Sequence, residues 1–437
     1  MFNISLDALS KLRLFKNIKY EALQIFISLL IQLVFPLTMI GIFGVYNFGI
    51  FIFIITILNL LDIFKFNMSS FGIQKMSYLF NVKKISETKK ILKNCSSIII
   101  INSIFIILIF FLIFFKIFFL ENILSEINEF DKNLIFIFIA INFSLNTLIQ
   151  LFEIGISYKG ELFIHYNLTT LKFLSTRLLI ILVSFFTKDF LNIFYMYTLI
   201  NFIFFFYYSY HFKKNFKFNV LFPSVKCFSF FKKNVKQILS FSNEKTSDNI
   251  KDNLQLFFVG ILFHPEVIAL LATAKTLFYF LPLRVLRIFI NNFNYEYLKL
   301  FTKNKIKNIK INYINQLFYM SSFTIAVVFF GALLGKDIYT IWLKDNIQIT
   351  NFLINLILLD VSLTLIYQTS STYLKSINNF FYISLTRILF EILIILIFFM
   401  GHYLYNYSYE NLFILNIFFM VIMSVISFSQ TLKEINK

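Results

Sequence analysis

The sequence predicts an all-α, polytopic membrane protein: about twelve transmembrane helices in two pseudo-symmetric six-helix bundles, with both termini in the cytoplasm. Three observations predict it. Of the 437 residues, 59% are hydrophobic and only 14% charged, more apolar surface than a water-soluble fold can hide. The apolar residues come in runs of roughly 20, the length a helix needs to cross a bilayer. Lysine and arginine gather between alternate runs, as they do in cytoplasmic loops. The net charge of +18 therefore reads as topology and not as a nucleic-acid surface.

Taken in order, the chain opens with Lys11, Arg13, Lys16 and Lys19 ahead of a first apolar run. That run lacks a small-residue cleavage site, so it is expected to remain as a signal anchor. Spans are expected over 20–42, 48–70, 96–119, 134–157, 168–186 and 190–211, then over 237–263, 267–293, 312–334, 350–373, 380–403 and 411–431. Only 10 glycines and 4 prolines are present, so most spans should be continuous helices. The basic segments tie the count together. Lys75 to Lys93, Lys159, Lys213 to Lys236, Lys299 to Lys310, Lys375 and the tail all fall on the inner side. The outer side holds only Lys132, Lys188, Lys336 and Lys344, and its longest loop is acidic, with Glu121, Glu126, Glu129 and Asp131. Cys95 and Cys227 lie at basic inner segments, where thiols stay reduced, and match no metal-site spacing.

The longest basic stretch divides the chain into an N-terminal bundle (1–211), a cytoplasmic linker (212–236) and a C-terminal bundle (237–437). Echoes across the linker support two related halves. Ile40-Gly41-Ile42 resembles Val259-Gly260-Ile261, Ser144-Leu145 resembles Ser362-Leu363, and Thr176-Arg177-Leu178-Leu179 resembles Thr386-Arg387-Ile388-Leu389. Each pair sits in equivalent spans of the two halves.

Ionisable residues inside spans cost about 2.5–3.5 kcal/mol each at a helix centre and normally face a cavity or a partner. In span 7, Glu244, Asp248, Lys251, Asp252 and Gln255 recur at spacings of three and four, a stripe on one face. Either this stripe lines a lumen, or 237–252 is an interfacial amphipathic helix preceding a shorter span. Asn142, Asn146, Gln150 and Glu153 form a milder stripe in span 4, and Asp360, Thr364, Tyr367 and Ser371 another in span 10. Interhelical hydrogen bonding explains the uncharged members as well as a lumen does. The cationic candidates for an anion site are Lys65, Arg177, Lys251, Lys275 and Arg387. The acidic candidates for ion coupling are Asp62, Glu153, Asp248, Asp252, Asp360 and Glu391. Lys116, Lys172, Arg284 and Arg287 lie near span ends and can snorkel. Asp62 with Lys65, and Arg387 with Glu391, have the spacing of self-neutralising pairs. His165, His211, His264 and His402 are scattered as ordinary loop or interface residues, and no phosphate-binding loop or dinucleotide fingerprint is present. A membrane enzyme acting on lipid-linked sugars is the less favoured alternative, since such enzymes usually place their groups in a sizeable loop and the loops here are basic linkers or short acidic turns; no catalytic residue and no cofactor is expected.

With these features the chain resembles the polysaccharide flippases, the O-antigen or repeat-unit translocases of the multidrug/oligosaccharidyl-lipid/polysaccharide exporter superfamily. The resemblance runs nearly end to end. It rests on the twelve spans, the stretch Gly41-Ile42-Phe43-Gly44-Val45-Tyr46-Asn47-Phe48-Gly49, and the segment containing Asp252-Asn253-Leu254, Gly260, His264-Pro265-Glu266-Val267 and Ala272-Thr273-Ala274. A turn at Tyr339-Thr340-Ile341-Trp342 is similar as well. The resemblance implies alternating access in a bacterial inner membrane. A polyprenyl-pyrophosphate-linked oligosaccharide would pass from the cytoplasmic to the outer leaflet, driven by a proton or sodium gradient. A monomer suffices, with membrane lipid and other polysaccharide-assembly proteins as partners. The alternative within the superfamily is a multidrug or small-molecule antiporter.

Overall fold

The computed structural model describes residues 6–81, 84–114, 128–158, 162–215, 227–302, 306–377 and 379–436. Lys116, Glu121, Glu126, Lys159 and the linker residues 216–226 lie outside them, as does the side chain of Arg287. Among the described residues there is no strand, and ten helices are long and apolar enough to cross a membrane. In order the helices are α1 (Leu6–Leu60), α2 (Met68–Asn81), α3 (Ile85–Phe114), α4 (Glu129–Ser157), α5 (Leu162–Phe186), α6 (Phe190–Asn215) and α7 (Cys227–Asn249). They continue with α8 (Gln255–Leu262), α9 (Pro265–Lys275), α10 (Leu281–Thr302), α11 (Ile306–Leu343), α12 (Asn351–Ser376), α13 (Phe381–Tyr405) and α14 (Glu410–Ile435). The chain is a multi-pass, all-helical membrane protein.

The structure departs from the sequence reading at several helix ends, each for a local reason. Spans 1 and 2 run on as α1 and are separated only by Gly44, whose backbone (φ 77, ψ 170) lies in a region essentially closed to other residues. Span 2 does not continue as one helix to Ser70: Leu61–Phe64 tightens to a 3-10 turn and Lys65 is extended. The broken backbone keeps its partners. Asn102 Oδ1 accepts from the Phe66 N–H at 3.1 Å while Asn102 Nδ2 donates to the Phe64 carbonyl, and Ser242 Oγ accepts from the Asn67 N–H at 2.9 Å. Such breaks persist at membrane depth only where side chains satisfy them. Tyr339–Trp342 is not a turn but the last part of α11; the chain turns two residues later, where Lys344 and Asp345 take positive φ. Spans 7 and 8 each carry a π turn, at Ile250–Leu254 and Thr276–Phe280. α9 opens with Pro265 in its first turn, where a missing N–H costs nothing.

By contact the chain forms two compact units, one of residues 1–42 and 57–245, the other of 43–56 and 246–437. In the first, α4 packs chiefly on α6, and α2 on α3. Its core joins Phe71, Cys95, Phe152, Tyr208 and Ile238. The first part of α7 lies on this core through Phe230 and Phe231, and Lys75 donates to Asn234 Oδ1. Burial, and then the neighbouring Lys233 ammonium, hold the Lys75 pKa below that of an ordinary lysine. In the second unit α12 is the central helix, flanked by α10, α11 and α14. The 43–56 segment packs on α8 and α9, with Phe53 stacked on Phe257 and Gly49 against the Pro265 carbonyl. The two glycines of the first sequence echo occupy different settings: Gly260 lies under the Phe53 ring, whereas a Cβ on Gly41 would meet nothing.

Candidate functional site

The second unit gathers seven of the eleven predicted site residues into one buried polar cluster. Asp360 stands on α12 and is itself fully buried, so its carboxylate does not face lipid. Lys251, in the first π turn, answers it: Nζ lies 2.6 Å from Asp360 Oδ1 and 2.9 Å from Thr364 Oγ1, and over the Tyr279 ring. Lys251 is 1% exposed and Asp360 0%. One turn earlier on α7, Asp248 Oδ1 accepts from Arg387 Nη2 at 2.7 Å, and the same guanidinium lies over the Tyr367 ring. One turn later, Gln255 and Asn416 exchange two amide hydrogen bonds of 2.8 and 3.1 Å, and Gln255 Nε2 reaches Glu391 Oε2 at 3.4 Å.

The stripe on span 7 thus meets three helices in succession, α12, α13 and α14. The π turn makes this possible, because an inserted residue rotates the side chains that follow relative to a regular α-helix; such bulges recur at functional sites. Lys275, beside the second π turn, completes the cluster by donating to the Lys251 carbonyl at 3.2 Å. Two predicted features are corrected here. Arg387 does not neutralise Glu391 four residues on but pairs with Asp248, and Glu391 forms no ion pair among the described residues. Lys251 and Arg387, candidates for an anion site, are each held in an ion pair, with Asp360 and Asp248. Even so, Asp360 Oδ2 and the Arg387 Nε and Nη1 atoms are buried with no hydrogen-bond partner, unusual for charged groups.

The remaining predicted residues lie in the first unit. Lys65 forms the expected pair with Asp62 at 3.4 Å and lies over the Phe143 ring. Glu153 is met by His165 of α5, whose Nδ1 stands 3.9 Å from Oε1, beyond hydrogen-bond distance. Lys172 does not snorkel but donates to Asn146 at 2.5 Å, joining the span 4 stripe. Above it, Asn142 bonds Thr198 at 2.8 Å and Asn201 at 2.5 Å, interhelical glue of the ordinary kind. Arg177 has no carboxylate partner among the described residues. Its guanidinium lies between rings, 4.3 Å from the Phe35 centroid and 5.7 Å from Phe173. Asn416, bonded to Gln255, is the member of the cluster that the sequence reading missed. Its signal was present: Asn416, Ser424, Ser427 and Thr431 repeat along one buried face of α14.

The backbone carrying these groups can be compared with solved structures. Along 97% of this chain and 95% of the other it superposes on a multidrug resistance MATE family transporter of the MOP superfamily in its outward-facing conformation, with a TM-score of 0.61 and 13% identity. The chain has the MATE transporter fold. An inward-facing MATE structure gives a TM-score of 0.58 at 12% identity, over 94% of each chain. A MOP superfamily transporter from Pyrococcus furiosus, described as having a binding pocket of reverse polarity that suggests a different function, gives 0.57 at 12% identity over 97% and 95%. At the level of sequence no family profile and no curated protein matches.

Proposed function

We propose that the chain is an alternating-access transporter that carries polyprenyl-pyrophosphate-linked oligosaccharide repeat units from the cytoplasmic to the outer leaflet for surface-polysaccharide assembly. The observation that carries this reading is Lys275. Its side chain is 1% exposed, its ammonium is given one carbonyl and the Phe413 ring, and among the described residues no carboxylate pairs with it. Asp252, Asp360 and Glu391 act on it only from beyond ion-pair distance, and a phosphate or acidic sugar would be the direct partner that offsets its burial. Arg177 offers the same in the other unit, with the planar fork that suits phosphate. Solved structures of the same fold are transporters, which supports transport over catalysis. With Asp248 and Asp360 held in ion pairs, Glu391 and Glu153 are the carboxylates through which a proton or sodium gradient would act, in a monomer of a bacterial inner membrane.

A second reading, drug or small-molecule export, is favoured by one observation: the solved structures it superposes on include multidrug resistance transporters. One strain separates the two. Deletion of the gene, with complementation by wild type, Arg177→Ala or Lys275→Ala, is followed by surface-polymer content and lipid-linked intermediates. Loss of polymer with repeat units accumulating on the cytoplasmic face supports flipping. Unchanged polymer with altered drug susceptibility replaces it by export.

A further inference from the structure

On the first unit lies a groove of about 230 Å³ lined by Phe66, Ile101, Phe105, Phe228 and Phe231, with Asn102 and Cys227 among its remaining walls. Its polar potential is already used. Both ends of the Asn102 amide are held by the broken backbone at Phe64 and Phe66, so the lining offers carbon and a thiol. The rim is open: Phe228 is 69%, Phe105 60% and Ile101 39% exposed. Phe105 continues into the exposed Ile104 and Leu108 of α3, a helix apolar enough to span the membrane, so the groove opens on the bilayer side. Its lining decides between occupants: with the Asn102 amide engaged, the walls offer no free polar side chain to a peptide backbone, whereas a hydrocarbon chain needs none. Charge adds the rest. Lys232 and Lys236 follow Phe228 by four and eight residues on α7, hence on the same face, and both are exposed. No acidic residue occurs in α7 before Glu244.

We infer that this groove is a binding site for an anionic phospholipid of the surrounding bilayer, one chain lying against Phe66, Ile101 and Phe228 and the phosphate meeting Lys232 and Lys236. Neither the passenger nor the transport reaction enters this assignment, so it stands or falls apart from the proposed function.

The test uses the full chain in liposomes containing phosphatidylglycerol with a photoreactive acyl chain, and maps the labelled peptides. Labelling of the 98–105 and 227–231 segments is expected to saturate and to be competed by unlabelled phosphatidylglycerol but not by phosphatidylcholine. Ile101→Trp, which fills the groove from an exposed position, should abolish it. Lys232→Gln with Lys236→Gln should weaken competition by about fivefold per lysine. Lys307→Gln with Lys310→Gln, exposed lysines of the other unit, should change nothing. Size-exclusion profiles confirm that each variant folds. Competition by phosphatidylcholine equal to that by phosphatidylglycerol overturns the headgroup assignment. Labelling untouched by Ile101→Trp overturns the site. Displacement by a polyprenyl phosphate at a tenth of the phosphatidylglycerol concentration overturns the bilayer lipid in favour of the passenger's own chain.

Discussion

Asp360→Leu leaves the Lys251 ammonium buried without its carboxylate, and the structure sets what that should cost. At 2.6 Å the two charges attract by about 6 kcal/mol at an effective dielectric of about 20. Taking both out of water costs several kcal/mol per ion, so the pair as a whole is close to neutral against an apolar replacement. Losing one partner is different: the attraction goes while the desolvation of the survivor stays, a penalty of about 3–5 kcal/mol. Asp360→Leu should therefore lower the apparent Tm in detergent by about 6–10 °C, at roughly 2 °C per kcal/mol for a large chain. The double variant Lys251→Met with Asp360→Leu should recover most of the loss. Unfolding followed by fluorescence-detected size exclusion reads all three proteins side by side. A double variant no more stable than Asp360→Leu would refute the reasoning, since the damage could not then come from an orphaned charge.

Two glycines of α1 should respond with opposite signs. Gly44→Ala should destabilise by about 1–3 kcal/mol, because its φ of 77° is strained for any side chain. Gly41→Ala, in regular helix with open space around the new Cβ, should stabilise by about 0.5–1 kcal/mol; thermal unfolding of the pair checks both. Gly49→Ala should be worse than Gly260→Ala, since its Cβ would stand 2.0 Å from the Pro265 carbonyl oxygen, a backbone atom, whereas Gly260 meets only the rotatable Phe53 ring at 2.4 Å. Membrane yield and Tm rank them. Asn102→Ala should expose the break after α1: hydrogen exchange at the Phe66 amide should speed up by an amount matching about 1–3 kcal/mol, while the Asn67 amide, held by Ser242, changes less.

Why the spans were legible and the pairings were not follows from how each is encoded. A span is a local property, an apolar run of sufficient length, and a stripe such as Asn142, Asn146 and Glu153 needs only the 3.6 period to be seen. An ion pair is a property of two segments. The i+4 spacing of Arg387 and Glu391 offered a local partner, but α13 turns Arg387 onto Asp248, 139 residues earlier in the chain, where the better-placed carboxylate is. Nor does a sequence announce a π turn. The residues Ile250–Leu254 carry no glycine or proline, yet the inserted residue there is what lets one stripe serve Asp248, Lys251 and Gln255 against three different helices. The break at Lys65–Asn67 was equally silent, because what permits it is Asn102 and Ser242, supplied from 36 and 175 residues away.

These same non-local pairings bear on what the cluster can do. With Lys251 and Arg387 neutralised internally, the cation left without a direct ion pair is Lys275, which Asp252 reaches only at longer range, and on the acidic side it is Glu391, held by one amide at 3.4 Å. An ion entering beside Glu391 and an anion entering beside Lys275 would each complete a buried group that the fold leaves short of a partner. Neither needs to break the Lys251–Asp360 pair to do so. On the proposed function, the two ion pairs are the scaffold that fixes α7 against α12 and α13, and Lys275 and Glu391, which form no ion pair among the described residues, are where a ligand and a coupling ion would gain the most. It follows that Asp360→Leu with Lys251→Met should leave transport largely intact, while Glu391→Gln, nearly isosteric and able to keep the amide contact, should abolish ion coupling at unchanged stability. If the rescued pair variant is inactive and Glu391→Gln transports normally, the roles of scaffold and site are the reverse of those assigned.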